Sequence, residues 1–128
     1  MIRITLTAFL ALTACAAAVD RPTEVREQAR IDRALAGLMP GAPQRCLRRD
    51  EVNQIQTFKD TILYVQGRGR IYRNNVSGGC AGLRYGDIVI SRSYGGSDYC
   101  AGDIIQTRPA MGPISGSCTL GEFIPYRR

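Results

Sequence analysis

The chain has 128 residues and a net charge of +6, with seventeen basic against eleven acidic side chains and no histidine or tryptophan. That length accommodates one small domain. Without histidine the commonest general base, the usual partner of a serine or cysteine nucleophile and the commonest metal ligand are all missing, which excludes most hydrolase triads and histidine-ligated metal sites.

Arg3 followed by an uncharged, mostly apolar run from Ile4 to Ala14 reads as a secretory signal peptide, too short to span a bilayer. The run closes on Leu12-Thr13-Ala14-Cys15, which resembles the lipobox of bacterial lipoproteins, where the cysteine is acylated and becomes the first residue. Removal of residues 1–14 and lipidation of Cys15 are therefore expected, placing the protein on the periplasmic face of the envelope. The outer membrane is the expected address, because Ala16 rather than an aspartate follows the cysteine. Each buried methylene of the acyl chains contributes about 0.8 kcal/mol, so a membrane anchor of several chains is effectively permanent. Cleavage after Ala18, where Ala16-Ala17-Ala18 also offers small residues, is the alternative and would leave a soluble periplasmic protein. Loss of the leader takes one of the seventeen bases and none of the eleven acids, leaving a net +5.

Residues 15–44 read as anchor, short helix and linker. The helix is expected over Thr23 to Leu38, with Thr23 as cap, Glu24 at the positive end of the dipole, and Val25, Ala29, Ile31, Ala34, Leu35 and Leu38 mostly on one side. Met39-Pro40-Gly41-Ala42-Pro43 stops any helix, which sets a boundary near Gln44.

From residue 45 to 128 short apolar segments alternate with glycine, and the pattern becomes mostly β. Strands are expected at Val52 to Phe58, Thr61 to Gln66, Arg70 to Asn74, Asp87 to Ser93, Asp103 to Thr107 and Cys118 to Ile124. Turns fall at Gly67-Arg68-Gly69, Ser77-Gly78-Gly79, Tyr94-Gly95-Gly96-Ser97 and Ala110-Met111-Gly112-Pro113. Six strands in about eighty residues predict a small antiparallel sandwich or partly open barrel, preceded by the one helix.

Of five cysteines, Cys15 belongs to the leader or the anchor, and Cys46, Cys80, Cys100 and Cys118 remain as an even set for two disulfides in an oxidising compartment. No C-x-x-C pair suggests a zinc knuckle, and no metal or cofactor is expected. Cys80 with Cys100 and Cys46 with Cys118 is the preferred pairing, with the other two connectivities open.

The remaining chemistry points away from catalysis. Lys59, the only lysine, sits in the turn Lys59-Asp60 and reads as a solvated or salt-bridged side chain. Asp87 and Asp103 each follow a glycine and precede an apolar strand, a turn-to-strand device in which the carboxylate accepts backbone amide hydrogen bonds. The glycine-rich stretches match neither phosphate-loop nor dinucleotide motifs. Arginine interleaved with tyrosine offers a candidate anion-binding face of Arg68, Arg70, Tyr72, Arg84 and Arg92, with Tyr72 as a stacking platform. The competing reading is a solvated sheet face whose tyrosines cover the core edge.

Thr61-Ile62-Leu63-Tyr64, Arg70-Ile71-Tyr72-Arg73, Gly79-Cys80-Ala81-Gly82-Leu83, Tyr99-Cys100-Ala101-Gly102-Asp103 and Ser117-Cys118-Thr119-Leu120-Gly121-Glu122-Phe123-Ile124-Pro125 together resemble a family of small exported proteobacterial proteins classed as a domain of unknown function, with a four-cysteine pattern. The resemblance spans nearly all of Cys46 to Tyr126. It implies export, disulfides and a β fold, and transfers no site. The expected function is that of a non-enzymatic binding or structural module on an envelope lipoprotein, with an anionic envelope component or a protein as partner; nucleic acid is not expected. The alternative is a secreted inhibitor of an envelope-active enzyme, although a protein near +5 would be repelled by a strongly basic lysozyme.

Overall fold

The computed structural model describes residues 21–93 and 96–128. Helix α1 (Arg21–Leu35) comes first. Pro22 falls in its first turn, where a missing amide proton costs no hydrogen bond, so Thr23 lies inside the helix rather than capping it. The helix stops short of Leu38 because Gly37 takes a left-handed φ of 76°. Its apolar packing lies in the second half, where Ile31 is buried with Ala34 and Leu35 against Phe58, Leu63 and Ile71, while Glu24 and Glu27 of the first half reach Lys59 and Arg84. Val25 and Ala29, expected on the apolar side, are exposed because the helical repeat turns them away from the face of Glu24, Glu27, Ile31 and Ala34 that meets the β domain.

Among the described residues eleven antiparallel strands follow, namely β1 (Met39–Pro40), β2 (Cys46–Leu47), β3 (Gln54–Thr57), β4 (Thr61–Val65), β5 (Arg70–Asn75), β6 (Ser77–Gly79), β7 (Ile88–Arg92), β8 (Tyr99–Cys100), β9 (Ile104–Arg108), β10 (Gly116–Thr119) and β11 (Phe123–Arg127). They form a five-stranded sheet in the order β1-β11-β5-β4-β3, a four-stranded sheet β6-β10-β9-β7 and a two-stranded ribbon β2-β8. The sheets are not closed into a barrel. Mostly β with one preceding helix and two disulfides is thus the observed class.

The period-two alternation of strands explains the layering. On β4, Ile62 and Tyr64 join Tyr72 of β5 and Phe123 of β11 in the core shared with Cys80, Leu83, Ile105 and Cys118 of the second sheet and its flanks. Leu63 points the other way, beneath α1. Strand β4 is therefore covered on both faces, which is why Thr61-Ile62-Leu63-Tyr64 is apolar almost without interruption. Five of the expected strands occur within two residues of their expected limits.

Three expectations are corrected. The run Cys118 to Ile124 is not one strand: β10 ends at Thr119 in the second sheet and β11 begins at Phe123 in the first. The chain changes sheets at Gly121, where the buried Asn74 amide donates to the Gly121 carbonyl (2.7 Å) and accepts from its N–H (2.9 Å). The proline-rich segment after the helix is not a free linker, since Met39 and Pro40 pair with Arg127 and Tyr126 and Gln44 bridges to Phe123 along the same edge.

The third correction concerns the disulfides, which join Cys46 to Cys100 and Cys80 to Cys118. The physical reason is strand neighbourhood. Cys46 and Cys100 are direct partners in the β2–β8 ribbon, and Cys80 follows β6, which pairs with the Cys118 strand β10. The two bonds differ in access: Cys80 and Cys118 are each 4% exposed, whereas Cys46 is exposed and Cys100 half-buried. Exchange requires a thiolate to reach a sulfur, so mild dithiol treatment should open Cys46–Cys100 first. Alkylation followed by peptide mapping checks this; earlier labelling of Cys80 and Cys118 would contradict it.

Candidate functional site

The arginines and tyrosine read as one face occupy three separate places. Arg68 lies in the turn between β4 and β5 and Arg70 opens β5, so these two stay together. Tyr72, two residues on, shares the Arg70 side of the strand, but that side faces the core and its ring is 4% exposed. It is no stacking platform. Arg84 sits in the short 3-10 turn Ala81–Tyr85, with its Nε 4.0 Å from Glu27 of the helix and only 20% of its side chain exposed. Arg92 stands on the edge strand β7 of the other sheet, opposite Ile104. Cys15 and Tyr94 lie outside the described residues.

What gathers around Arg68 and Arg70 instead is the carboxyl-terminal strand. The register of β11 on β5 sets Arg127 directly opposite Arg70, and Arg128 follows. A concavity of about 410 Å³ is lined by Arg68, Arg70, Arg127 and Arg128, with Gly67 and Gly69 in its wall. Both glycines have left-handed backbone, φ 59° and 76°, and the Arg128 side chain passes close over Gly69, within 3.5 Å of where a Cβ would be. Among the described residues no carboxylate lies within salt-bridge distance of any of the four arginines. Like charges directly opposite on neighbouring strands destabilise a sheet, so the Arg70–Arg127 pair is a cost to the fold unless something negative sits between them.

Two of the four guanidinium groups have defined supports. Arg127 Nη2 donates to Tyr72 Oη at 3.3 Å, which turns the buried tyrosine into a positioning residue. Arg70 Nη1 donates to Gln66 Oε1 at 3.4 Å, and the Gln66 amide in turn donates to Glu51, whose carboxylate also meets Arg48 at 3.6 Å. The sequence pattern pointed to Arg68 and Arg70; it missed Arg127 and Arg128. A closing Tyr-Arg-Arg after an apolar strand was the available signal, but only the β5–β11 register connects it to the turn.

Several other charged groups make structural contacts. Lys59 Nζ is 2.8 Å from Glu24 Oε1, and this hydrogen-bonded contact lowers the Glu24 carboxyl below and raises the Lys59 ammonium above their ordinary values. Asp103 Oδ2 accepts the Cys100 N–H at 2.9 Å, as expected of a turn-to-strand carboxylate. Asp87 differs in accepting the Ser115 hydroxyl (2.6 Å). Tyr64 lies in the core between Tyr99 and Phe123, and burial pushes its phenol far above the usual tyrosine range. A larger concavity of about 580 Å³ beside the Cys46–Cys100 bond has mixed charge, with Arg45 against Asp98 and the already engaged Asp103.

No protein-family model, curated protein or solved structure matches this chain.

Proposed function

We propose that the protein is an exported, lipid-anchored envelope protein whose β domain is a non-enzymatic module that binds an anionic envelope component. The observation that carries this reading is the concavity of Arg68, Arg70, Arg127 and Arg128, within salt-bridge distance of no carboxylate among the described residues. Guanidinium stays charged, is weakly hydrated and presents a planar fork of donors, which makes it the side chain of choice for anionic groups. The non-enzymatic part is supported by the absence of histidine and by the engagement of Lys59, Asp87 and Asp103 in structural contacts. Export is supported by the leader and by two disulfides, which accord with an oxidising compartment.

The anchor and the site suit one another. An anchor at Cys15 would lead into α1, whose first turns lie beside Lys59 in the β3–β4 turn. The arginine concavity opens at the β4–β5 turn, the opposite end of β4, and so would be presented outward from the membrane. The mature protein is expected to partition into detergent, and Cys15→Ser to release it into the soluble fraction. A wild-type mature mass that starts at Val19 without lipid would refute the anchor.

Binding is tested with dextran sulfate as a generic polyanion and the mature chain carrying Cys15→Ser. Four engaged arginines predict an affinity loss on the order of 100-fold between 50 and 200 mM salt. Arg68→Gln with Arg70→Gln should weaken binding without changing the thermal midpoint much, since exposed charges contribute under about 1 kcal/mol each. Salt-insensitive association, or association that the substitutions leave intact, would remove the site.

A further inference from the structure

We infer that the group held in the arginine concavity is a phosphomonoester, the dianionic end of a phosphorylated sugar or lipid; the inference rests on the anion-binding reading above and names its ligand. Charge comes first. Arg70 and Arg127 face each other on adjacent strands, and a dianion between them neutralises both, whereas a monoanion leaves one excess charge in place. Shape is the second ground. Arginines from β5, from β11 and from the turn that carries Arg68 line the one concavity, and a tetrahedral group with three terminal oxygens can accept from several of them. A planar carboxylate has two oxygens to share.

The surroundings favour the charged group over the body of the ligand. Among the described residues no aromatic ring lines the concavity, so a sugar ring finds no stacking surface in its lining. At Gly67 nothing lies within 4 Å of where a Cβ would be, which admits a compact headgroup close to the backbone beside the Arg128 side chain that covers Gly69. Arg127 is held in advance by the buried Tyr72 hydroxyl and Arg70 by Gln66, so less ordering is required when the ligand arrives.

The test is calorimetric titration of the mature chain carrying Cys15→Ser with glycerol 3-phosphate, dimethyl phosphate and glucuronate, at pH 7.5 and pH 5. A phosphomonoester loses its second charge near pH 6, so its affinity should fall about tenfold between the two conditions. The diester and the uronate should bind more weakly and without that step. The step belongs to the ligand, because guanidinium keeps its proton throughout this range. Glu51→Gln, which removes the one carboxylate connected to the cluster through Gln66, should leave the step in place. Arg70→Gln with Arg127→Gln should cost at least about tenfold in affinity, while Arg108→Gln on the other sheet should not. Vesicles of phosphatidylcholine with phosphatidic acid separate the sources: retention that glycerol 3-phosphate competes away indicates a lipid-borne phosphate, and binding of the soluble ester alone indicates a free one. Equal binding of glucuronate, or no pH step, would overturn the phosphomonoester while leaving the anion site standing. Failure of every anion, dextran sulfate included, would instead overturn the reading on which it rests.

Discussion

Cys80→Ala combined with Cys118→Ala is expected to lower the melting temperature by about 15 to 30 °C. The bond closes a loop of sequence separation 38, for which the chain-entropy account gives about 4 kcal/mol. Both sulfurs also lie in the main core against Leu83 and Ile105, so their removal leaves unfilled space and adds a cavity penalty to the entropic loss. Against a total stability of roughly 5 to 15 kcal/mol this is a large share. Cys46→Ala with Cys100→Ala opens a loop of separation 54, whose entropic cost is alike, but the ribbon it ties is partly exposed and no core cavity follows. Calorimetry of the two double variants should therefore rank the buried bond as the costlier one. Equal melting temperatures, or the reverse order, would show that the second-sheet core does not depend on that pair.

Asn74→Ala should cost about 2 to 4 kcal/mol, for a different reason. Asn74 is fully buried, and its amide supplies both hydrogen bonds of Gly121 where the chain passes from β10 to β11. Ladder pairing is interrupted at that crossing, and the side chain stands in for the missing strand partner. A buried N–H and a buried carbonyl left unsatisfied each cost about 1 to 3 kcal/mol. Gly121 is half-buried and packs tightly, with the Asn75 carbonyl 2.6 Å from where a Cβ would be, so it has little room to shift toward other partners. Asn74→Leu separates the two contributions: it restores volume but neither bond, and should remain nearly as unstable as Asn74→Ala. Urea midpoints with an unchanged slope provide the measurement. A loss below about 1 kcal/mol in both variants would mean that the crossing finds other partners.

The strands β3, β4, β5, β7 and β9 were legible because each is long enough to show alternation or, as in β4 and β7, a continuous apolar run, and is bounded by glycine or a polar turn. The pairs β1, β2 and β8 have two residues each and β6 three, too short for any period, and they exist only because a neighbouring strand passes beside them. The pattern of residues 118–124 is interrupted only by Gly121-Glu122, a local signal that fits a bulge within one strand as well as the place where the chain leaves one sheet for the other. The candidate site divides in the same way. Alternation correctly set Arg70 and Tyr72 on one side of a strand, yet it cannot tell a solvated side from a core side, and the ring went inward to hold Arg127.

Local pattern and composition by themselves determined the mostly β class, the helix ahead of it, the number of paired cysteines and the closeness of Arg68 to Arg70, because each depends on neighbours within a few residues or on a count. Tertiary structure alone decided which cysteines bond, which end of the helix is buried and which arginines share a concavity. Each of those is a question of which distant strands lie side by side, and the pairing of β11 with β5 and of β8 with β2 is fixed by the joint burial of Phe123, Tyr64, Ile105 and Leu47 in one core rather than by any short stretch of chain.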